Sequence, residues 1–452
     1  MAMHLSLDPI RKMKKLAFLV MAMVWGCTNI MDAPRENRNS FVFFYPAKQN
    51  TLGISAAPDA DGGVVMTGFR TESLNDITKP TMVLIKTDAK GKPLFEQEYP
   101  VLPDTSYLYG KAVKPVDGGY LVGADNIKVT TDENSNQVTV TKIYLYKMDA
   151  AGNVTFQYKH KPNNTISYTT NSITLDDLGN VVLLGTKGSA LNRQSLILIF
   201  APSGTGYNVV WDQEFDLQTK SYTNAKSVQL TPQKNVIWAS SITQGLTAKS
   251  YVAFPTVAPG STFINSRLIG ENDDVNNILV SDLQKNPFGF ASVGVNYTIV
   301  SGTTTSNNNF FFARLANDGN VLATNYYDDG ALIDASDPTN LSKPAFNTLE
   351  DGGLAVAPAQ DGGFLLVGYL DSRPAVGGLA ARGNGGKDVS LIKVDSFGNV
   401  QWYKTYGGIG DEVANTAFQA ADGGFIITGT STVQGFASMF VMKVNANGGL
   451  DN

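Results

Sequence analysis

The stretch "DGGFLLVG" at Asp361–Gly368 returns 61 residues later as "DGGFIITG" at Asp422–Gly429. Looser copies come earlier: "DGGVVMTG" from Asp61, "DGGYLVG" from Asp117, "LGNVVLLG" from Leu178, "KNVIWAS" from Lys234 and "FGFASVG" from Phe288. These seven units span 361 residues from the first aspartate to the last, a mean spacing of about 60. A repeat of that period commits a chain to a repeated supersecondary unit before any other property is consulted.

A second signature follows each copy. "MVLIKTDAKGKPLFEQEY", "IYLYKMDAAGNVTFQY" and "SLIKVDSFGNVQWYKTY" share an apolar run, a turn with Gly or Asn, and an alternating run around an aromatic. That is a β-hairpin pattern. With the hairpin around each "DGG", every unit holds four short strands rich in Val, Ile, Phe and Tyr and broken by Gly, Asn and Asp. No stretch after the N-terminal segment shows helical spacing. Seven such units predict an all-β, seven-bladed β-propeller of four-stranded blades. The last unit ends after its third strand, at "MFVMKVNANGGLDN", while an orphan run "SFVFFYP" stands at Ser40–Pro46. Adding that orphan to the last unit would close the ring and remove an exposed edge.

Repeated positions then read as architecture. In each "DGG" turn Gly supplies backbone angles that residues with a Cβ avoid, and Asp caps the turn. Gly68, Gly123, Gly185, Gly294, Gly368 and Gly429 are expected to end the second strands. Phe95, Phe156, Trp211 and Trp402 occupy one place in successive units, as blade-to-blade packing requires. The cation of the third strand (Lys86, Lys147, Arg314, Lys393, Lys443) recurs too regularly to mark a single site.

The N-terminus stands apart. Arg11, Lys12, Lys14 and Lys15 precede a short apolar run, Leu16–Trp25, then Gly26 and Cys27, the only cysteine. The run is too short to span a bilayer and reads as a secretory signal over residues 1–26, with Met13 the more natural start. "VWGC" resembles a bacterial lipobox, which implies lipidation of Cys27, a tether over residues 27–39 and a propeller over 40–452. No disulfide can form within the chain. Removing residues 1–26 takes away four basic residues and one acidic one, so the net charge moves from −5 to −8. Nucleic acid is an unfavourable partner for such a chain.

"GNVQWYKTYGGIGDEVANTAFQAADGGFIITGTS", Gly398–Ser431, resembles the delta-60 propeller repeat of exported bacterial proteins, common in Bacteroidota. The match is sharp over the last two units, fair over the first two and weak over Ser221–Asp329. The resemblance implies a β-propeller on the cell surface or in secretion; with the lipobox, the chain reads as an outer-membrane lipoprotein, at the cell surface or beneath it, held to the membrane only through its lipid. It implies no reaction and transfers no catalytic residue.

Chemical constellations are sparse. After the signal the only histidine is His160, read as solvent-exposed, so neither a Ser-His-Asp triad nor a histidine metal site can be assembled. "DADGG" at Asp59–Gly63 begins like a calcium loop but lacks its distal glutamate. "DSFGNVQW" at Asp395–Trp402 departs in spacing from the Asp-box turn of sialidases. No cofactor or metal is expected, and the chain reads as a monomeric, non-enzymatic binding or scaffolding module for a protein or glycan of the cell envelope. The alternative is a polysaccharide lyase or glycosidase working with loop carboxylates near the central channel.

Function should lie where the repeats differ. The longest variable connections are Asp125–Thr141, Tyr327–Asn347 and Leu370–Asp388, all on the face opposite the repeated turns. They offer Asp328, Asp329, Asp334, Asp337, Arg373 and Arg382 as candidate ligand contacts. The orphan strand should begin on the repeated-turn face, which would then look toward the membrane.

Overall fold

The computed structural model describes residues 40–45, 49–72, 74, 80–99, 106–131, 136–161, 165–189, 192–215, 223–244, 247–255, 264–269, 277–299, 306–327, 351–373 and 382–451. Cys27 and the proposed signal and tether therefore lie outside the described residues. Ser40–Asn452 forms one compact unit of seven four-stranded antiparallel sheets.

β1 (Phe41–Tyr45) comes first in the chain but belongs to the last sheet. The first blade is β2 (Asn50–Pro58), β3 (Val64–Thr71), β4 (Thr81–Thr87) and β5 (Pro93–Tyr99). The second is β6 (Tyr107–Val116), β7 (Gly119–Thr131), β8 (Gln137–Asp149) and β9 (Val154–Lys159). The third is β10 (Tyr168–Leu175), β11 (Val181–Ser189), β12 (Asn192–Ser203) and β13 (Gly206–Phe215). The weakly matching units are also complete blades: β14 (Thr223–Leu230), β15 (Val236–Gln244), β16 (Thr247–Pro255) and β17 (Ile264–Ile269), then β18 (Asn277–Asn286), β19 (Gly289–Ile299), β20 (Ser306–Leu315) and β21 (Val321–Tyr327). The sixth is β22 (Asp351–Pro358), β23 (Phe364–Arg373), β24 (Arg382–Val394) and β25 (Val400–Tyr406). The seventh combines β26 (Asp411–Gln419), β27 (Phe425–Val433) and β28 (Phe436–Val444) with β1, in the order β1-β28-β27-β26. Ring closure by the orphan strand thus stands.

Second and third strands are buried on both faces, as their near-continuous apolar runs require. Val83, Leu84 and Ile85 of β4 are fully buried, whereas β5 alternates toward solvent. The cores lie between blades. Val65 and Leu84 pack with Val122 and Tyr144 of the next blade, and Ile426 and Val441 of the last blade pack with Met66 and Ile85 of the first. Each such side chain taken out of water contributes about 1.5–3 kcal/mol. The recurrent aromatics act as expected: Phe95 lies 6.2 Å from Tyr120, Phe156 lies 6.1 Å from Tyr207 and Trp402 lies 6.3 Å from Phe425, each pair bridging neighbouring blades.

Two further links repeat around the ring. Tyrosines ending fourth strands donate to a glycine carbonyl in the next blade's outer turn: Tyr45 to Gly91 at 2.5 Å, Tyr99 to Gly152 at 2.5 Å, Tyr327 to Gly398 at 2.7 Å, and Tyr406 to Gly448. The third-strand lysines reach the capping aspartates: Lys86 Nζ to Asp61 at 2.6 Å, Lys393 to Asp361 at 2.7 Å and Lys443 to Asp422 at 2.5 Å. The same carboxylates accept from Gly63, Gly363 and Gly424 N–H, so the turn, its cap and the third strand are one unit.

The glycine after each "DGG" run does not end its strand. Gly68, Gly185, Gly368 and Gly429 lie inside β3, β11, β23 and β27. Each pairs with the residue just before a β-bulge in the first strand: Gly53, Thr170, Gly353 and Ala414. All seven first strands carry that bulge, the extra residues being Ile54, Lys111, Asn171, Lys226, Ser281, Leu354 and Asn415.

Candidate ligand face and axial channel

Antiparallel meanders put the "DGG" turns and outer turns on one face and the remaining connections on the other. Among the sequence-derived candidates, Asp328, Asp329, Asp334 and Asp337 lie outside the described residues. Arg373 and Arg382 are brought opposite one another, as ladder partners at the far end of the β23–β24 hairpin. The segment Asp125–Thr141, expected as a loop, is mostly strand. Pairing of β7 with β8 runs on to Thr131↔Gln137, so the second blade projects a long ribbon from the variable face.

The seven first strands line an axial cavity of about 280 Å³. The inner edge of a blade has no further strand to pair with, so its backbone groups need other partners. Side chains of the preceding blade supply them. Ser55 Oγ accepts Val113 N–H at 3.3 Å, Ser172 Oγ accepts Val228 N–H at 3.3 Å, and Asp282 Oδ2 accepts Val356 N–H at 3.2 Å. Two bulge asparagines donate in the other sense, Asn171 to Ala225 O at 2.7 Å and Asn415 to Gly53 O at 2.8 Å.

Against this small, polar lining stand Lys111, Lys114 and Lys226. Lys111 reaches Asp125 only at 4.0 Å. Burial pushes the Lys114 ammonium below the ordinary lysine range despite attraction from Asp282. Lys226 is pushed the same way by burial and by repulsion from Lys111 and Arg193. Burial raises the carboxyl of Asp282 even though it accepts several hydrogen bonds, and raises that of Asp125 to about 6. These channel residues escaped the sequence reading, which looked for variation only in loops. The signal was present six or seven residues before the repeated aspartate, where otherwise matching units show Ile54, Lys111, Leu354 and Asn415.

His160 is fully buried rather than exposed. It follows β9 and packs edge-on against Tyr168 of the next blade, with ring centroids 4.7 Å apart, and its Nδ1 lies 3.1 Å from Tyr158 Oη. Nε2 has no partner among the described residues. Burial, with Asp212 opposing and Lys161 assisting, lowers its pKa to about 4. The unfolded chain therefore binds a proton that the folded chain refuses as pH falls from about 6.5 toward 4. Chemical denaturation across that window should show a loss on the order of 2–4 kcal/mol in the wild type. A His160→Phe variant should lack that part of the slope; an unchanged slope would exclude His160 as its source.

No protein family matches the chain, and no curated protein matches it. Solved structures do. A polysaccharide lyase, Uly1, matches with a TM-score of 0.51 and 10% identity over 90% of this chain and 100% of that one. A protein of unknown function from Dyadobacter fermentans matches with a TM-score of 0.49 and 11% identity over 90% and 97% of the two chains. A NanB sialidase from Streptococcus pneumoniae matches with a TM-score of 0.42 and 10% identity over 93% and 72%. The lyase likeness corrects the reading of the chain as non-enzymatic. The frame that argued for a purely binding module is also the frame of an enzyme, so fold class gives no ground for excluding a reaction. At 10% identity it shows the frame and assigns no chemistry.

Proposed function

We propose that this is an exported, lipid-anchored propeller of the delta-60 type that holds a cell-envelope glycan on its variable face, over the mouth of the axial channel. The observation that carries the reading is the asymmetry of the two faces. One is built of near-identical capped turns, while the other bears the projecting β7–β8 ribbon and the β23–β24 hairpin. Ser40 supports the orientation. Its Oγ accepts Asp451 N–H at 2.5 Å beside the repeated turns, which favours a reading in which that face looks toward the membrane. The frame shared with a polysaccharide lyase favours a glycan over a protein ligand, and cleavage of that glycan is the second reading.

The test is a binding screen of the protein lacking residues 1–26 against acidic and neutral polysaccharides, with product analysis on each. We expect a glycan to bind, and affinity to fall at least about tenfold when Asp328–Asn347 is replaced by Gly-Ser, leaving the Tyr327 latch in place. Appearance of shorter products would establish the second reading. Capture of envelope proteins with no glycan binding, or binding indifferent to the loop replacement, would overturn the proposal.

A further inference from the structure

The lysines of the blades and those of the axial channel are treated differently; the channel lysines Lys111, Lys114 and Lys226 are half-buried. Lys86 and Lys393, both nearly fully buried, are each held by the carboxylate of their own blade's turn. These are structural lysines, and the fold repeats them with their counter-ions. Lys114 and Lys226 have no hydrogen-bond or ion-pair partner among the described residues, and Lys111 has only the distant Asp125. Arg193 adds to the positive charge near Lys226.

The acids nearby are already engaged. Asp282 Oδ1 accepts from Ser227 Oγ at 2.9 Å and Leu283 N–H at 2.8 Å, and both of its oxygens lie within 3.1 Å of Gln284 Nε2. Asp125 Oδ1 accepts Thr170 N–H at 2.6 Å. Neither closes an ion pair with Lys114 or Lys226. A charge partly withdrawn from bulk water without a partner is disfavoured, and cations lining one cavity also repel one another, as Lys111 and Arg193 do Lys226. Nothing in the ring's construction requires that cost, because Ser281, Asn171 and Asn415 fill the bulge positions equivalent to Lys111 and Lys226 without charge, and Gln229 and Gln284 stand where Lys114 does.

We propose that the axial channel is a binding site for an oxyanion, a carboxylate or sulfate group, held between Lys111, Lys114 and Lys226. Lysine suits the role because an ammonium is a compact point charge with three freely directed donors. The hydroxyl of Thr416 lines the same cavity and can donate to the anion, whereas Ser227, Gln229 and Gln284 already direct their donors to Asp282, Leu283 O and Gln284 Oε1. A cavity of about 280 Å³ accommodates such a group together with the sugar ring or water that would accompany it. The site deepens the glycan reading by naming an acidic polysaccharide as its ligand class, but the anion site itself stands without the glycan.

The experiment measures thermal unfolding and calorimetric binding with sodium sulfate and sodium phosphate against sodium chloride at matched ionic strength. The wild type should gain melting temperature with the oxyanions but not with chloride. A Lys114→Met, Lys226→Met double variant should melt higher than the wild type in chloride, because unpaired charge is gone, and bind sulfate at least about a hundredfold more weakly. An exposed-lysine control, Lys404→Met, should behave as wild type. Sulfate should also compete with an acidic oligosaccharide and not with a neutral one, which assigns the anion to a polymer-borne group. If only free ions bind, the oxyanion site holds and the glycan assignment falls. The same sulfate response in wild type and double variant, or none in either, overturns the proposal. Replacing Asp328–Asn347 by Gly-Ser should weaken glycan binding at least about tenfold while sparing the sulfate response, which separates this site from the face reading.

Discussion

Removing residues 1–48 is expected to abolish cooperative folding, whereas removing residues 1–39 should leave stability unchanged. The difference between the two truncations is β1. Its five residues pair with β28 from Phe41↔Lys443 to Tyr45↔Met439 and supply the fourth strand of the closing blade. Tyr45 is buried, and its hydroxyl latches the last blade to the first through Gly91 O. Truncating one large buried side chain costs about 3–5 kcal/mol, and each lost ladder bond about 0.5–1.5. The sum is on the order of 5–10 kcal/mol, comparable to the whole stability of an ordinary domain. The shorter chain would also expose the edge of β28, whose interior, Met439–Met442, is apolar, so aggregation should accompany unfolding. Differential scanning calorimetry of both truncations decides the matter, and adding back a peptide of residues 40–46 should restore the transition. An undiminished midpoint in the 49–452 chain would show that the ring does not depend on closure.

The architecture was legible because every blade repeats the same local instructions. A "DGG" turn fixes one hairpin, the Gly- or Asn-bearing turn between third and fourth strands fixes the next, and apolar runs buried on both faces leave little choice but stacking. Asp61 and Asp395 could be read as turn caps from sequence alone, because an Asx turn is local chemistry. What was not legible is what depends on neighbours across the ring. Lys86 and Lys226 look alike in sequence, and only the fold shows that one has a carboxylate within 3 Å and the other none. His160 was misjudged for a similar reason. It follows a fourth strand, normally the solvent-facing edge, but here Tyr168 of the next blade covers it. The candidate acids Asp328, Asp329, Asp334 and Asp337 remain a reading of loop variability alone.

The two glycines that bracket the repeated octapeptide should respond to alanine very differently. Gly362 has φ +81° and open space where a Cβ would go, so Gly362→Ala should cost only the left-handed penalty, about 1–2 kcal/mol. Gly368 meets a wall. A Cβ there would lie 1.9 Å from Gly352 O, and the equivalents at Gly68, Gly294 and Gly429 would lie 1.9, 2.1 and 2.0 Å from Leu52 O, Leu279 O and Val413 O. The obstruction is backbone, so no rotamer relieves it. It arises because the bulge turns the first strand's carbonyl toward the second strand at that register. Relief would require displacing the bulge, and with it Leu354, one of the residues that line the channel. Gly368→Ala should therefore cost about 4 kcal/mol or more, several times its neighbour, as read by urea denaturation. Blades two to four differ: a Cβ at Gly123 would meet the Ile173 and Thr170 side chains at 2.8 Å, and one at Gly185 would meet Ile143 Cδ1 at 2.7 Å and Thr169 O at 2.8 Å, so the clash there is milder. In blade four Ser240 occupies the glycine position opposite Ala225, so in that blade the strands have made room for a Cβ. Equal costs at Gly362 and Gly368 would mean that the bulge yields easily, and that the second glycine of the repeat is not there to clear it.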